Sequence, residues 1–158
     1  MSKKGLLFIN EILWIAVFSI IAAIIVFPIY QKLPNFPFII ANFVFIFVTL
    51  FLIRYILFIK KSIISNKRTL LKAFFFLSIP TVLFLSDQYF TILAFFKELG
   101  FEFIPDDFSY LDAKSLGNYV KTEISFFGIS SIIAAVIFPF RILSYLWKTS
   151  SEKRNKLI

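Results

Sequence analysis

The sequence predicts an all-α, polytopic membrane protein with four transmembrane helices and a short amphipathic extracytoplasmic segment between helices 3 and 4. Three observations support this fold class. Of the 158 residues, 59% are hydrophobic and 24 are Phe, and the mean hydropathy is +0.88, which is far from the composition of a soluble domain. Four apolar runs are each long enough to cross a hydrocarbon layer of roughly 30 Å. The charged residues are divided unevenly between the two sides that these runs define. We expect a single membrane domain over residues 1–158.

A short basic stretch, Lys60 to Arg68, lies between the second and third apolar runs and has four positive charges and no negative one. Lys and Arg resist translocation, so a short basic loop between two spans is typical of the cytoplasmic side, or of the matrix side in an organelle. The position of this loop therefore predicts the orientation of every span.

The first span is predicted at about residues 6–30. A cleavable signal peptide is the rival interpretation, but this run is longer than an apolar signal region of ~7–15 residues. The second span is predicted at about 36–59, with Asn42 and Thr49 as its modestly polar residues and Arg54 close to the basic loop. A short turn joins the two runs, which predicts an antiparallel helical hairpin.

The third apolar run, about residues 69–96, is longer than one bilayer requires. Its 28 residues would form a helix of about 42 Å. Either the span ends near Ser86 and an amphipathic piece follows, or one tilted helix, kinked at Pro80, takes Asp87 into the outer leaflet. We favour the long kinked helix.

The extracytoplasmic segment is predicted at about residues 97–123, and it holds six of the nine acidic residues. Asp106 or Asp107 is expected to cap a short helix that ends near Leu116. Apolar residues on one side of this segment predict that it lies on the membrane surface or against a partner. The fourth span is predicted at about 124–147.

The charge distribution fits this topology. Thirteen basic and two acidic residues lie on the side of the basic loop, and four basic and seven acidic residues lie on the other. The positive-inside rule produces such a division, so the net charge of +8 requires no nucleic-acid partner. We expect a bacterial inner (cytoplasmic) membrane, or the inner membrane of an organelle, with both termini on the cytoplasmic or matrix side.

The residue inventory predicts no enzyme. The chain has no Cys and no His, which removes thiolate chemistry and the usual zinc and haem ligands. No Gly-rich phosphate loop or nucleophile elbow is present, and the acidic residues lack the spacing of a calcium-binding loop. We therefore predict no catalytic residue, no cofactor and no metal site.

Charged residues inside the spans are the candidate functional residues, because a charge near the bilayer centre is unfavourable by at least ~2.5 kcal/mol. Glu11, Arg54, Lys72 and Arg141 have a similar shallow depth on the basic side. They are either four interfacial anchors or a charge ring. In the ring, Glu11 pairs with Arg54 or Arg141, and two cations remain for an anionic lipid or an acidic group on a neighbouring subunit. Asp87 is either an intramembrane acid on a proton path or the mark of an outer helix end, and we favour the second.

Two functions follow from this inventory. The first is a non-catalytic accessory or structural subunit of a larger integral membrane complex, such as a secretion, respiratory or transport assembly. Its expected partners are membrane lipids and other integral membrane subunits, contacted through Phe-rich helix faces and residues 97–123. The alternative is a small oligomeric transporter or channel that uses Asp87 or the inner-leaflet charge ring.

Overall fold

Four long helices account for nearly all of the described chain. The computed structural model describes residues 3–62, 65, 68–100, 102–105 and 108–155. The helices are α1 (Lys3–Lys32), α2 (Ile39–Phe58), α3 (Arg68–Leu99) and α4 (Tyr110–Asn155), and a 3-10 turn at Ile59–Lys61 follows α2. Each helix is long and apolar enough to cross a membrane. The prediction of an all-α protein with four candidate membrane-spanning helices is therefore confirmed.

Helix α3 is one continuous helix of 32 residues with Pro80 inside it. It passes both Ser86 and Phe96, so the long-helix alternative is confirmed. At 1.5 Å per residue α3 is about 48 Å long, which exceeds a hydrocarbon layer of roughly 30 Å.

Helix α4 differs from the prediction. It is a single helix of 46 residues, so a separate short helix that ends near Leu116 is wrong, and only residues 100–109 of the predicted segment 97–123 lie between α3 and α4. The physical reason is packing: Leu116, Val120 and Ile124 are all buried at a spacing of four residues, which places them on one helix face. Burial of this continuous face stabilises the helix across the expected boundary.

The start of α4 is capped by Ser109. Its hydroxyl oxygen accepts a hydrogen bond from the backbone N–H of Asp112 at 3.3 Å, and the hydroxyl lies 2.6 Å from Asp112 Oδ2. This is the arrangement of a helix N-cap residue with an acidic residue in the first turn. The predicted caps, Asp106 and Asp107, lie outside the described residues.

The helices are arranged in space in the order α1, α2, α4, α3. Helix α1 packs on α2, α2 on α4, and α4 on α3. We call the end of the bundle with the start of α1 and the end of α4 the basic end, and the opposite end, with the start of α4, the acidic end. Helices α2 and α4 form the centre, so α1 and α3 are the two flanks.

Five phenylalanine rings hold the acidic end together. The distances between ring centroids run from 5.0 Å for Phe38 and Phe95 to 6.3 Å for Phe36 and Phe96, and Phe103 contacts three of the others. These rings join the α1–α2 connection, the last turns of α3 and the segment 102–105. Aromatic pairs of this geometry stabilise beyond the area that they bury.

Candidate functional site

Glu11 forms an ion pair with Arg54 near the basic end. Arg54 of α2 donates from Nη1 to Glu11 Oε2, and the side chains are only 10% and 8% exposed. The same carboxylate oxygen accepts a hydrogen bond from the Tyr55 hydroxyl at 2.8 Å. The guanidinium carbon of Arg54 lies 5.3 Å from the centre of the Trp14 ring, close enough for a cation–π contact. We call Glu11, Trp14, Arg54 and Tyr55 the inner cluster.

Tyr55 connects the inner cluster to the other two helices. Its ring centroid lies 6.5 Å from that of Phe74 on α3 and 6.3 Å from that of Phe138 on α4. Because its hydroxyl reaches Glu11 on α1, this α2 residue contacts all three other helices. The side chain is 4% exposed, so it occupies the centre of the bundle near the basic end.

The predicted charge ring is only partly assembled. The structure pairs Glu11 with Arg54, one of the two partners that the sequence predicted. Arg141 instead donates from Nε to the backbone carbonyl of Ile56 at 2.8 Å, which ties α4 to the last turn of α2. Lys72 is exposed on α3. Of the four residues, Glu11 and Arg54 therefore form an ion pair, Arg141 forms a hydrogen bond to the α2 backbone, and Lys72 is an exposed cation.

Asp87 lies on the outside of the bundle. It is exposed on α3, and its Oδ2 accepts a hydrogen bond from the side-chain amide of its neighbour Gln88 at 3.4 Å. The apolar residues on the same helix face are also exposed: Phe76 by 67%, Leu83 by 67% and Phe90 by 66%. We call these four residues the outer face of α3.

A second polar cluster, which the sequence did not predict, joins α2 to α4. Asn42 donates from Nδ2 to Glu123 Oε2 at 3.0 Å, and the two residues are 0% and 9% exposed. Two turns farther along α2, the hydroxyl of Thr49 lies 2.7 Å from the Phe45 carbonyl and 3.3 Å from the Phe127 carbonyl on α4. The sequence showed polar residues at 42 and 49 in an apolar run, but it placed Glu123 in the segment between the helices.

The Asn42–Glu123 pair leaves two buried oxygen atoms without a partner among the described residues, Asn42 Oδ1 and Glu123 Oε1. An ionised carboxylate and an amide oxygen both accept hydrogen bonds only. Each of these two oxygen atoms therefore requires a hydrogen-bond donor.

Cavities of about 210 to 500 Å³ lie between neighbouring helices and segments of the described chain. The most apolar one, about 210 Å³, lies between α2 and α3 over α4, with Phe51, Phe74 and Phe138 in its walls. No group of three or more Asp and Glu side chains that could hold a metal ion occurs in the part of the chain that the structure describes.

Comparison with known proteins gives no relative. No protein-family model, no curated protein and no solved structure matches this chain.

The inner cluster leads to the first prediction. Replacing Glu11 by Gln leaves the buried Arg54 guanidinium without its carboxylate, so we expect a loss of about 3 kcal/mol in the free energy of unfolding. Replacing Tyr55 by Phe removes one hydrogen bond and keeps the ring contacts, so we expect a loss of about 1 kcal/mol. Thermal unfolding in mild detergent, followed by tryptophan fluorescence, measures both.

The matched control for Glu11→Gln is Lys72→Gln, which also removes one charge near the basic end but from an exposed side chain. We expect no change in Tm for this control. Equal Tm values for Glu11→Gln and Lys72→Gln would show that the ion pair does not stabilise the bundle.

The second cluster gives the second prediction. Glu123→Ala removes the hydrogen-bond partner of buried Asn42 and leaves a void, so we expect a loss of about 2 kcal/mol in the free energy of unfolding. Glu123→Gln replaces the unpartnered carboxylate oxygen by an N–H₂ donor and keeps one oxygen to accept from Asn42, so its Tm should equal or exceed that of the original chain. The control is Glu98→Ala, an exposed glutamate on α3, which should change nothing. A Glu123→Gln variant as unstable as Glu123→Ala would contradict this account of the pair.

Proposed function

We propose that this protein is a non-catalytic accessory subunit of a larger integral membrane complex and that it binds a partner helix through the outer face of α3. The observation that supports the proposal most strongly is the spacing of this face. Phe76, Leu83 and Phe90 are seven residues apart, each about two-thirds exposed, and α3 is a flank of the bundle. Apolar residues that recur every seven positions form the seam by which one helix packs along another.

Asp87 adds a polar contact to this seam. It lies four residues after Leu83 and three before Phe90, which places all three on one face of the helix. A carboxylate on an apolar helix face binds a donor more strongly where water is scarce. A partner helix with Lys, Arg or an amide at the matching position would supply such a donor.

The polar groups inside the bundle support a structural role. Glu11, Arg54 and Tyr55 bind one another, and Asn42 binds Glu123. These contacts join α1 to α2 and α2 to α4. Because the polar groups bind one another inside the bundle, association with a partner would use the exposed faces of the helices.

We also propose the orientation and the membrane. The basic end would face the cytoplasm, or the matrix of an organelle, because most of the Lys and Arg residues lie there. On this proposal the membrane is the inner membrane of a bacterium or of an organelle, and residues 100–109 and the start of α4 are extracytoplasmic.

The alternative function is a small oligomeric transporter or channel. The observation that favours it is the exposure of Asp87, because a residue outside one bundle could line a path between several copies. Such a path would need further polar groups along its length.

The third prediction distinguishes the two functions. A photoreactive amino acid at position 83 should crosslink to one foreign membrane subunit, whereas the same group at Ile20 on the exposed face of α1 should crosslink only to lipid. Asp87→Asn should reduce recovery of that subunit while leaving the Tm of the isolated chain unchanged. A crosslink between two copies of this chain, together with ion flux in reconstituted vesicles that Asp87→Asn abolishes, would support the transporter instead.

A further inference from the structure

A cationic cleft lies at the basic end, between the end of α2 and the last third of α4. It has a volume of about 240 Å³ and is lined by Lys60, Tyr145, Lys148 and Thr149. We call it the basic cleft. None of the predicted candidate residues lines it.

The two lysines of the basic cleft have no anionic partner among the side chains that the structure describes. Among the described residues the ion pair is that of Arg54 with Glu11. Lys60 and Lys148 are both exposed. Two ammonium groups that share one cleft repel each other, and a bound anion between them relieves this repulsion.

One hydrogen bond joins the two walls of the basic cleft, and a second lies within α4. Arg141, one turn before Tyr145 on α4, donates to the Ile56 carbonyl at 2.8 Å, so α4 stays close to the end of α2. The Thr149 hydroxyl donates to the Tyr145 carbonyl at 2.9 Å. The phenol hydroxyl of Tyr145 remains available as a donor to an anion, in addition to the two ammonium groups.

Exposed apolar side chains on α2 and α4 lie nearer the middle of the bundle than the basic cleft, which favours a lipid as the source of the anion. Ile53 precedes Lys60 by seven residues and is 43% exposed, and Ile137 precedes Lys148 by eleven and is 46% exposed. The spacing of eleven places Ile137 on the same face of α4 as Lys148, nearer the middle of the bundle. Ile53 lies on α2 about two turns before the 3-10 turn that holds Lys60. Each of the two helices therefore has an exposed apolar side chain on the membrane side of its lysine.

We propose that the basic cleft binds the phosphate of an anionic phospholipid, with its acyl chains along Ile53 and Ile137. Lys60 and Lys148 neutralise the headgroup, and Tyr145 donates a hydrogen bond to it. A lipid satisfies both parts of the surface at once, whereas a free phosphate ion would satisfy only the cations. The site is independent of the outer face of α3.

The fourth prediction tests this site in the purified full chain. Native mass spectrometry of the protein titrated with phosphatidylglycerol should show a bound lipid, with weaker retention of phosphatidylcholine. In the double variant Lys60→Gln, Lys148→Gln, the affinity for phosphatidylglycerol should fall roughly 30-fold, because each lysine near the headgroup contributes about 1 kcal/mol. Tyr145→Phe, which keeps the ring, should give a smaller loss.

The matched control is Lys97→Gln, Lys114→Gln, which removes two exposed lysines at the acidic end and the same total charge. It should bind phosphatidylglycerol as the original chain does. Equal losses in the two double variants would overturn the proposal in favour of general charge attraction. Stabilisation by inorganic phosphate equal to that by the lipid would also overturn it, and so would binding of an acidic peptide in place of the lipid.

Discussion

A carboxylate in an apolar helix must find donors within the protein, and this requirement fixes how α1 joins the bundle. Glu11 lies in the first span that the sequence predicts, and α1 packs mainly on α2. Arg54 and Tyr55, neighbours on α2, both donate to the same oxygen of Glu11. The Tyr55 ring also contacts Phe74 on α3 and Phe138 on α4. Tyr55 therefore links the polar contact with α1 to the buried centre of the bundle. The ion pair therefore fixes α1 against α2 near the basic end, in addition to the buried apolar contacts of Ala22 and Val26 with Ile46 farther along the helix.

The number and order of the helices, and the approximate lengths of the first three, could be predicted from the sequence, because each apolar run is longer than an ordinary strand and polar or Pro-containing segments separate all four runs. The extent of α4 could not be predicted in the same way. Residues 110–123 are polar enough to suggest a surface segment, but they are helical because Leu116 and Val120 are buried against the acidic end. Tertiary packing decides such a boundary, and local composition does not show it.

For the candidate residues, too, some contacts could be predicted from the sequence and others depend on tertiary packing. Similar depth predicted that Glu11 would pair with Arg54 or Arg141, since opposite charges at one level attract each other, and the structure shows the pair with Arg54. The Asn42–Glu123 pair spans 81 positions, and its formation depends on the parallel contact of α2 with α4, which no local pattern contains. The basic cleft escaped prediction for a similar reason: Lys60 and Lys148 come together only after α4 docks on the end of α2. The level of a residue along the bundle could be inferred from the sequence, whereas contacts between helices that are distant in sequence could not.

The central claim is that the chain crosses the membrane four times, with the basic end on one side and the acidic end on the other. The chain has no Cys, so single-cysteine variants can be labelled without a background. With a membrane-impermeant maleimide on sealed membranes of known orientation, Asn35→Cys and Ser115→Cys should react from one side and Ser65→Cys only from the opposite side. Labelling of all three positions from the same side would contradict the four crossings and, with them, the assignment of the exposed apolar faces to lipid and partner helices.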